Sequence, residues 1–261
     1  MTRWAAGVEY LGTRYSGWQW QNHASSVQQE VERVLSSVGD HPIKVTAAGR
    51  TDAGVHALNQ VIHFDSESPR KPHAWLFGAN SQLPRDISLR WVQAVDDAFH
   101  ARYGALSRSY RYVMWSNRAR SALLEDRVCW LIQPLDAEAM HRAAQALVGE
   151  HDFSAYRDAG CQSKSPVRNL HRLSVRRHGE FTVLDVTGNA FLHHMVRNIA
   201  GVLMAIGLKQ QPETWAKVVL ESRSRAKGGI TAEAGGLCFL GPEYPERFAL
   251  PPSPTVWFPG L

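Results

Sequence analysis

Cysteine is scarce in this chain. Three occur in 261 residues, Cys129, Cys161 and Cys238, and none belongs to a C-x-x-C pair. That count and spacing argue against a disulfide framework and against a structural zinc site, so inert thiols are expected. Lysine is also rare, with six against 23 arginines. Long apolar runs are missing. The longest, such as 199–208, is too short to cross a bilayer and is interrupted by Gly201 and Gly207. No apolar segment of the signal-peptide kind follows Met1-Thr2-Arg3-Trp4, and a cytoplasmic protein away from membranes is expected. There is no P-loop and no G-x-G-x-x-G after a strand, so no nucleotide cofactor is expected. The histidines show no H-x-x-x-H or H-E-x-x-H spacing, so no metal is expected either. Low-complexity sequence is absent, and only 250–260 is rich in proline, which reads as an extended surface arm.

What the chain has instead is arginine. The formal charge is +5 and the isoelectric point is near 9.3. Arginine presents a planar fork that grips phosphate in two places and stacks on bases. A basic, arginine-biased surface fits a nucleic-acid partner, and it equally fits a solvated basic surface.

Periodicity gives the outline of a fold. Trp4, Ala6, Val8 and Tyr10 alternate as a strand. Ser26 and Gln29 form a capping box ahead of Val27, Val31, Val34, Leu35 and Val38, which share one helical face up to Gly39. Strands are expected at 43–47, 59–65 and 87–95, with a helix at 73–83 closed by Pro84. This β-α-β-β-α-β order then recurs. A strand is expected at 109–115 and a helix is capped by Asp136, with Met140, Ala143, Ala144, Leu147 and Val148 on one face. A hairpin follows at 170–176 and 181–186, then a long helix at 191–207, an inserted helix at 212–221 and a last strand at 236–240. The expected class is α+β: two split-βαβ units, ferredoxin-like or RRM-like, with antiparallel sheets flanking a central basic cleft. The boundary falls near 102–108. Residues 1–105 form one unit, and 106–261 form the other with the inserted helix and the arm. Sheets of this type occur in RNA-binding modules, where an open face presents aromatics to bases.

The densest chemistry lies between two strands, at residues 49–57 (GRTDAGVHA). Gly49 and Gly54 bracket Arg50 and Asp52. Glycine permits a tight backbone path and close approach of a ligand. A carboxylate on such a loop can project into a cleft, or it can simply bond its own backbone in a turn.

This segment resembles the signature loop of the tRNA pseudouridine synthase A family, TruA. Further segments agree with that family in chain order: Tyr15-Ser16-Gly17-Trp18-Gln19, then 60–65, then Phe99-His100-Ala101-Arg102, then 107–112, then 188–201 with Phe191-Leu192-His193-His194-Met195-Val196-Arg197-Asn198. The resemblance covers nearly the whole chain. Three positions depart from it. Asn59 stands where the family usually has glycine, Ser109 where a basic residue often precedes the tyrosine, and Cys238 where an aromatic is frequent.

The resemblance implies an isomerase that converts uridine to pseudouridine at positions 38–40 of the tRNA anticodon stem-loop, without a cofactor, as a homodimer. It implies Asp52 as the catalytic carboxylate, either attacking C1′ or taking a ribose proton and stabilising charge there. Arg197 is implied as the active-site arginine, with Arg50 the second cation near Asp52. A phosphate contact on a helix surface is the other reading of Arg197. Tyr110 is implied as the tyrosine that meets the uracil, by its ring face or its hydroxyl. Tyr112, two residues on, reads better as core. Leu237 reads as an apolar floor under the base or as ordinary packing. The adjacent His193 and His194, placed on a helix, would point apart and pack or contact phosphate. Two other classes stay open on the residues alone: an RNA-binding module without catalysis, and a nucleoside hydrolase. A pure binder gains nothing from a carboxylate facing phosphate, and no aspartate cluster of a metal-assisted hydrolase is present.

Overall fold

A computed structural model of the chain describes residues 1–253. In chain order the elements are β1 (Thr2–Tyr10), α1 (Val27–Gly39), β2 (Thr46–Ala47), β3 (His56–Ser66), α2 (Pro72–Asn80), β4 (Ile87–Ala94), β5 (Ser107–Ser116), β6 (Cys129–Leu131), α3 (Ala137–Ala144), β7 (Gly149–Asp152), β8 (Val167–His178), β9 (Phe181–Gly188), α4 (Met195–Gly207), α5 (Trp215–Ser222) and β10 (Leu237–Glu243). The architecture is mixed α+β with mostly antiparallel strand pairing and five α-helices among the described residues. None of those helices is long and apolar enough to cross a membrane. Most of the proline-rich stretch 250–260 lies outside the described residues.

The chain forms two compact units. The first takes residues 1–107 together with 238–261, so the chain returns to it after building the second, 108–237. In the first unit the strand order is β4-β1-β3-β10, with the short β2 also on β3. The β1, β2 and β4 pairings are antiparallel, whereas β10 runs parallel to β3 with Cys238 opposite His56. Alternation sorts the side chains. Trp4 and Phe64 face each other across β1 and β3, and both pack on Trp75 of α2, with ring centroids 6.0 and 5.1 Å apart. Ala5, next to Trp4, and Val61, three residues before Phe64, turn to the opposite face. There they join a buried cluster with Ala48, Phe99, Ala101 and Phe248.

Where expectation and structure differ, a hydrogen bond usually explains it. Ser26 caps α1 by accepting from the Gln29 N–H at 3.3 Å, as the capping box predicts. The strand expected at 43–47 shrinks to Thr46–Ala47 because the N–H groups upstream are taken by α1. Ile43 donates to Ser36 Oγ at 2.8 Å and Val45 to Glu32 Oε1 at 3.1 Å. At the other departure, Asn59 accepts from Trp91 Nε1 at 3.3 Å and donates to Ser253 Oγ at 2.9 Å.

In the second unit the order is β5-β9-β8-β7, antiparallel throughout, with β6 parallel on the outer end of β5. β6 and β7, of three and four residues, are too short to leave a period in the sequence. The expected hairpin is present as β8 and β9, and α3 packs on β8 and α4. A buried ion pair ties the middle of this sheet. Arg111 donates to Asp185 from Nε at 2.7 Å and from Nη2 at 3.2 Å, and Arg176 adds a third contact. Burial alone would raise the Asp185 carboxyl. The hydrogen bonds from Arg111 and Arg176 outweigh it and hold the carboxyl below its ordinary value. A depressed carboxylate contributes stability above the unfolded pKa of about 3.9, and that stability is lost as pH falls through the lower folded value. Asp185→Asn, which leaves Arg111 buried without its charge partner, is expected to cost about 3–5 kcal/mol at neutral pH. The gap to wild type should narrow below about pH 4. Urea unfolding across pH checks both, and a neutral-pH midpoint equal to wild type would show that the pair contributes nothing net.

Candidate active site

The Asp52 loop leaves β2 and returns at β3, and the segment after β1 holds it from one side. Tyr10 bonds Thr51 Oγ1 through its hydroxyl at 2.8 Å. The Trp18 N–H donates to the Thr51 carbonyl at 3.0 Å, and the Gly54 N–H donates to the Tyr15 carbonyl at 3.3 Å. From within, the Val55 N–H closes back on the Asp52 carbonyl at 3.1 Å. At the root of the loop, Gln60 Nε2 donates to the Gly49 carbonyl at 2.7 Å and Ala48 N–H to the Val61 carbonyl at 2.8 Å. Gly17, at φ +93°, has no room for a side chain, since a Cβ there would sit 2.6 Å from the Thr51 carbonyl oxygen. The motif Tyr15-Ser16-Gly17-Trp18 is therefore the clamp of the loop that follows it in space. Thr51 and Val55 are buried, and Asp52 between them is half-buried. The two glycines of the loop differ. Gly54, at φ +78°, uses glycine's freedom. Gly49 does not, and the space above its Cα is open. Arg50, in contrast to Thr51, is exposed and is held by no hydrogen bond or ion pair among the described residues.

The second unit carries the other implied residues. Tyr110 lies on β5 opposite Val186 and is buried, its ring edge-on to Phe191 at 5.0 Å. Tyr112 is wholly buried, donates its hydroxyl to the Glu233 carbonyl at 2.8 Å, and has its phenol pushed well above its ordinary range by burial. It is core, as the sequence suggested. Arg197 sits in the first turn of α4 and is half-buried. Its Nε donates to the Ala232 carbonyl at 2.8 Å, while the Ala232 N–H donates to the Arg197 carbonyl at 3.2 Å. The side chain is thus held through its Nε by an irregular segment that leads, through a 3-10 turn at Ala234–Gly236, to Leu237. Leu237 is 3% exposed, at the start of β10. Ser109, a departure from the family pattern, pairs its hydroxyl with Thr187 at 2.8 Å.

One expectation about this unit is corrected. The helix expected at 191–207 begins only at Met195, because His194 takes a left-handed φ of +58° and cannot continue it. His193 and His194 therefore do not diverge as helical neighbours would. Their rings stack at 3.9 Å and 27°. Both face Asp158, with His194 Nδ1 2.9 Å and His193 Nδ1 3.5 Å from its carboxylate. The Gly160 N–H and then His194 hold that carboxyl below its ordinary value. Phe191 and Asp158 are the residues that sequence reasoning missed. Phe191 was hidden by its helical spacing to Met195 and Ile199, and Asp158 sits in a loop with no periodic signal.

Comparison with known proteins gives the family. A family model described as tRNA pseudouridine synthase matches residues 6–104 and 143–245, more than half of the chain. The chain belongs to the tRNA pseudouridine synthase family. Among its relatives, the protein of Nitrosococcus oceani named tRNA pseudouridine synthase A is 51% identical over 258 residues, spanning 98% of this chain and all of that one. The protein of the same name from Shigella boydii is 50% identical over 250 residues, 96% of this chain and 93% of its own length.

Proposed function

We propose that this enzyme isomerises uridine to pseudouridine at positions 38–40 of the tRNA anticodon stem-loop, with Asp52 as its catalytic carboxylate. One observation carries the reading: in a member of this family, Asp52 stands half-buried on a loop clamped through both Thr51 and Gly54. The reaction is a rearrangement. The C1′–N1 bond breaks, the uracil turns, C5 bonds to C1′ and loses its proton while N1 gains one, so neither redox partner nor external nucleophile is consumed. A carboxylate acts at C1′, as nucleophile or as base toward the ribose. Arg197, fixed by Ala232, supplies positive charge to that site, and Tyr110 contacts the uracil. Leu237 lies under the base. Arg50 is kept for the substrate backbone, since no protein group engages it among the described residues.

A stacked uridine cannot reach a carboxylate, so the base is extruded at a cost of a few kcal/mol. Arginine–phosphate contacts offset that cost and make binding salt-dependent. Two split-βαβ units complete the proposal, the first carrying the catalytic loop and the second carrying Tyr110, Arg197 and Leu237. A homodimer working in the cytoplasm is proposed with them.

The test uses unmodified tRNA in which uridines 38, 39 and 40 are replaced by cytidine singly and together. Pseudouridine is expected wherever a uridine remains at these positions, and none in the triple replacement. Pseudouridine elsewhere in the triple replacement would overturn the assigned positions. Tyr110→Phe is expected to slow turnover at saturation by about tenfold or more, with tRNA affinity within about twofold. Unchanged turnover would assign Tyr110 to packing alone.

A further inference from the structure

Between β4 and β5 the chain places an unusual side chain on the surface. Tyr103 is 77% exposed, in a segment otherwise anchored by wholly buried Phe99 and Ala101. Its ring is not isolated. It lies 4.5 Å from the His100 ring at 31°, and His100 lies 4.7 Å from the buried His63 ring. The Arg102 guanidinium carbon is 5.5 Å from the centre of the Tyr103 ring. The Tyr103 and Arg102 N–H groups both donate to His100 Nδ1, at 3.1 and 3.2 Å, which fixes the turn that holds the rings together. Below them, His63 Nδ1 accepts from the Ala101 N–H at 3.1 Å. Burial, then His100 and Arg3, push the His63 imidazole down to about 4, so the inner ring is neutral and free to accept that bond at neutral pH.

The stack has the same foundation as the catalytic loop. Phe99 and Ala101 pack in one cluster with Ala48 and Val61. Ala48 is the last residue before the 49–57 loop and bonds Val61 through its N–H. Thr46 of β2 pairs with His63 itself. The exposed tyrosine and Asp52 are therefore rooted on adjacent positions of one sheet in one unit. A hydrophobic reason for Tyr103 is missing, since three quarters of it faces water and His100 hides only a small part of the ring. An aromatic face backed by a second ring, beside a guanidinium, matches an unstacked nucleobase with its phosphate.

We propose that Tyr103 is a stacking platform for an unpaired base of the substrate RNA, a nucleotide other than the reacting uridine, with Arg102 serving the same contact. The proposal rests on the tRNA reading above. Holding one unpaired base fixes the register of the stem-loop against the clamped Asp52 loop, so Tyr103 acts as a positioning residue.

The experiment measures tRNA affinity at fixed salt and single-turnover pseudouridine formation for wild type, Tyr103→Ala, Tyr103→Leu and Tyr103→Trp. Melting temperature and solution mass are measured alongside. Loss of one base stack is expected to weaken binding by about five- to one-hundred-fold in the Ala and Leu variants. Trp is expected to bind within about twofold of wild type, because it keeps a π-face. The salt slope should not change, since no charge is removed. Wild-type affinity in Tyr103→Ala overturns the proposal. So does wild-type affinity in Tyr103→Leu, which would reduce the contact to apolar area. A change of solution mass in the Ala variant overturns it in favour of a chain–chain contact. A wild-type protein that neither binds nor modifies tRNA overturns the tRNA reading instead, and the two failures are distinguished by wild type alone.

Discussion

Asp52→Asn is expected to bind tRNA within about twofold of wild type and to form pseudouridine at least about a thousand times more slowly. The substitution removes a charge and a nucleophile and keeps the shape. The loop is held at Thr51 and Gly54 through backbone groups and the Thr51 hydroxyl, none of which the substitution touches. Melting should therefore stay within about 2 °C of wild type. Single-turnover conversion of an unmodified anticodon stem-loop, with binding measured at the same salt, checks the claim. Conversion at the wild-type rate would remove Asp52 from the chemistry. Tight binding by a wild type that makes no pseudouridine would instead leave an RNA-binding module.

Gly201→Ala is the second large effect, and it acts through Arg197. A Cβ at Gly201 would lie 1.8 Å from the Ile230 carbonyl oxygen and 3.5 Å from the Ala232 nitrogen. An ordinary carbon–oxygen contact needs about 1.5 Å more, and the obstructing atom is backbone, so the 230–232 segment must move. That segment is what fixes Arg197, through both its Nε and its carbonyl. Alanine in place of a helical glycine would by itself gain about 1 kcal/mol. Displacing packed backbone costs roughly 1–3 kcal/mol or more, so the net sign is destabilising. Turnover should fall by about tenfold or more, with a smaller change in tRNA affinity, because a misplacement near an ångström is felt in the chemical step. Chemical denaturation and a split of kcat from Kd decide it. A stable Gly201→Ala protein with wild-type turnover would show that the 230–232 segment does not position Arg197.

How much of this was legible depended on whether the information was local. The chemistry of 49–57 is contiguous, and so it could be read directly, together with the α1 cap at Ser26, the alternation of β1 and the β8–β9 hairpin across the turn at Gly179. Tyr112, two residues beyond Tyr110 and so on the same strand face, reads as core and is wholly buried. The start of α4 could not be read, because Phe191, Met195 and Ile199 keep a helical spacing across His194, whose backbone breaks it. The upstream half of the 43–47 strand failed for a different reason: its N–H groups are captured by Glu32 and Ser36, side chains of another element. The roles of Phe191, Asp158 and Tyr103 depend on partners that only folding brings near.

The parallel pairing of β10 with β3 has a consequence for how the protein is made. The strand that lies beside His56 and Ala57, directly after the catalytic loop, comes from residues 238–243, which the ribosome adds only after the entire second unit. Until then the nascent first unit keeps an unpaired stretch of strand edge, a template for wrong partners. The sheet that carries Asp52 therefore closes last, and a product interrupted before 238 holds every implied catalytic side chain and still lacks a complete sheet to seat them.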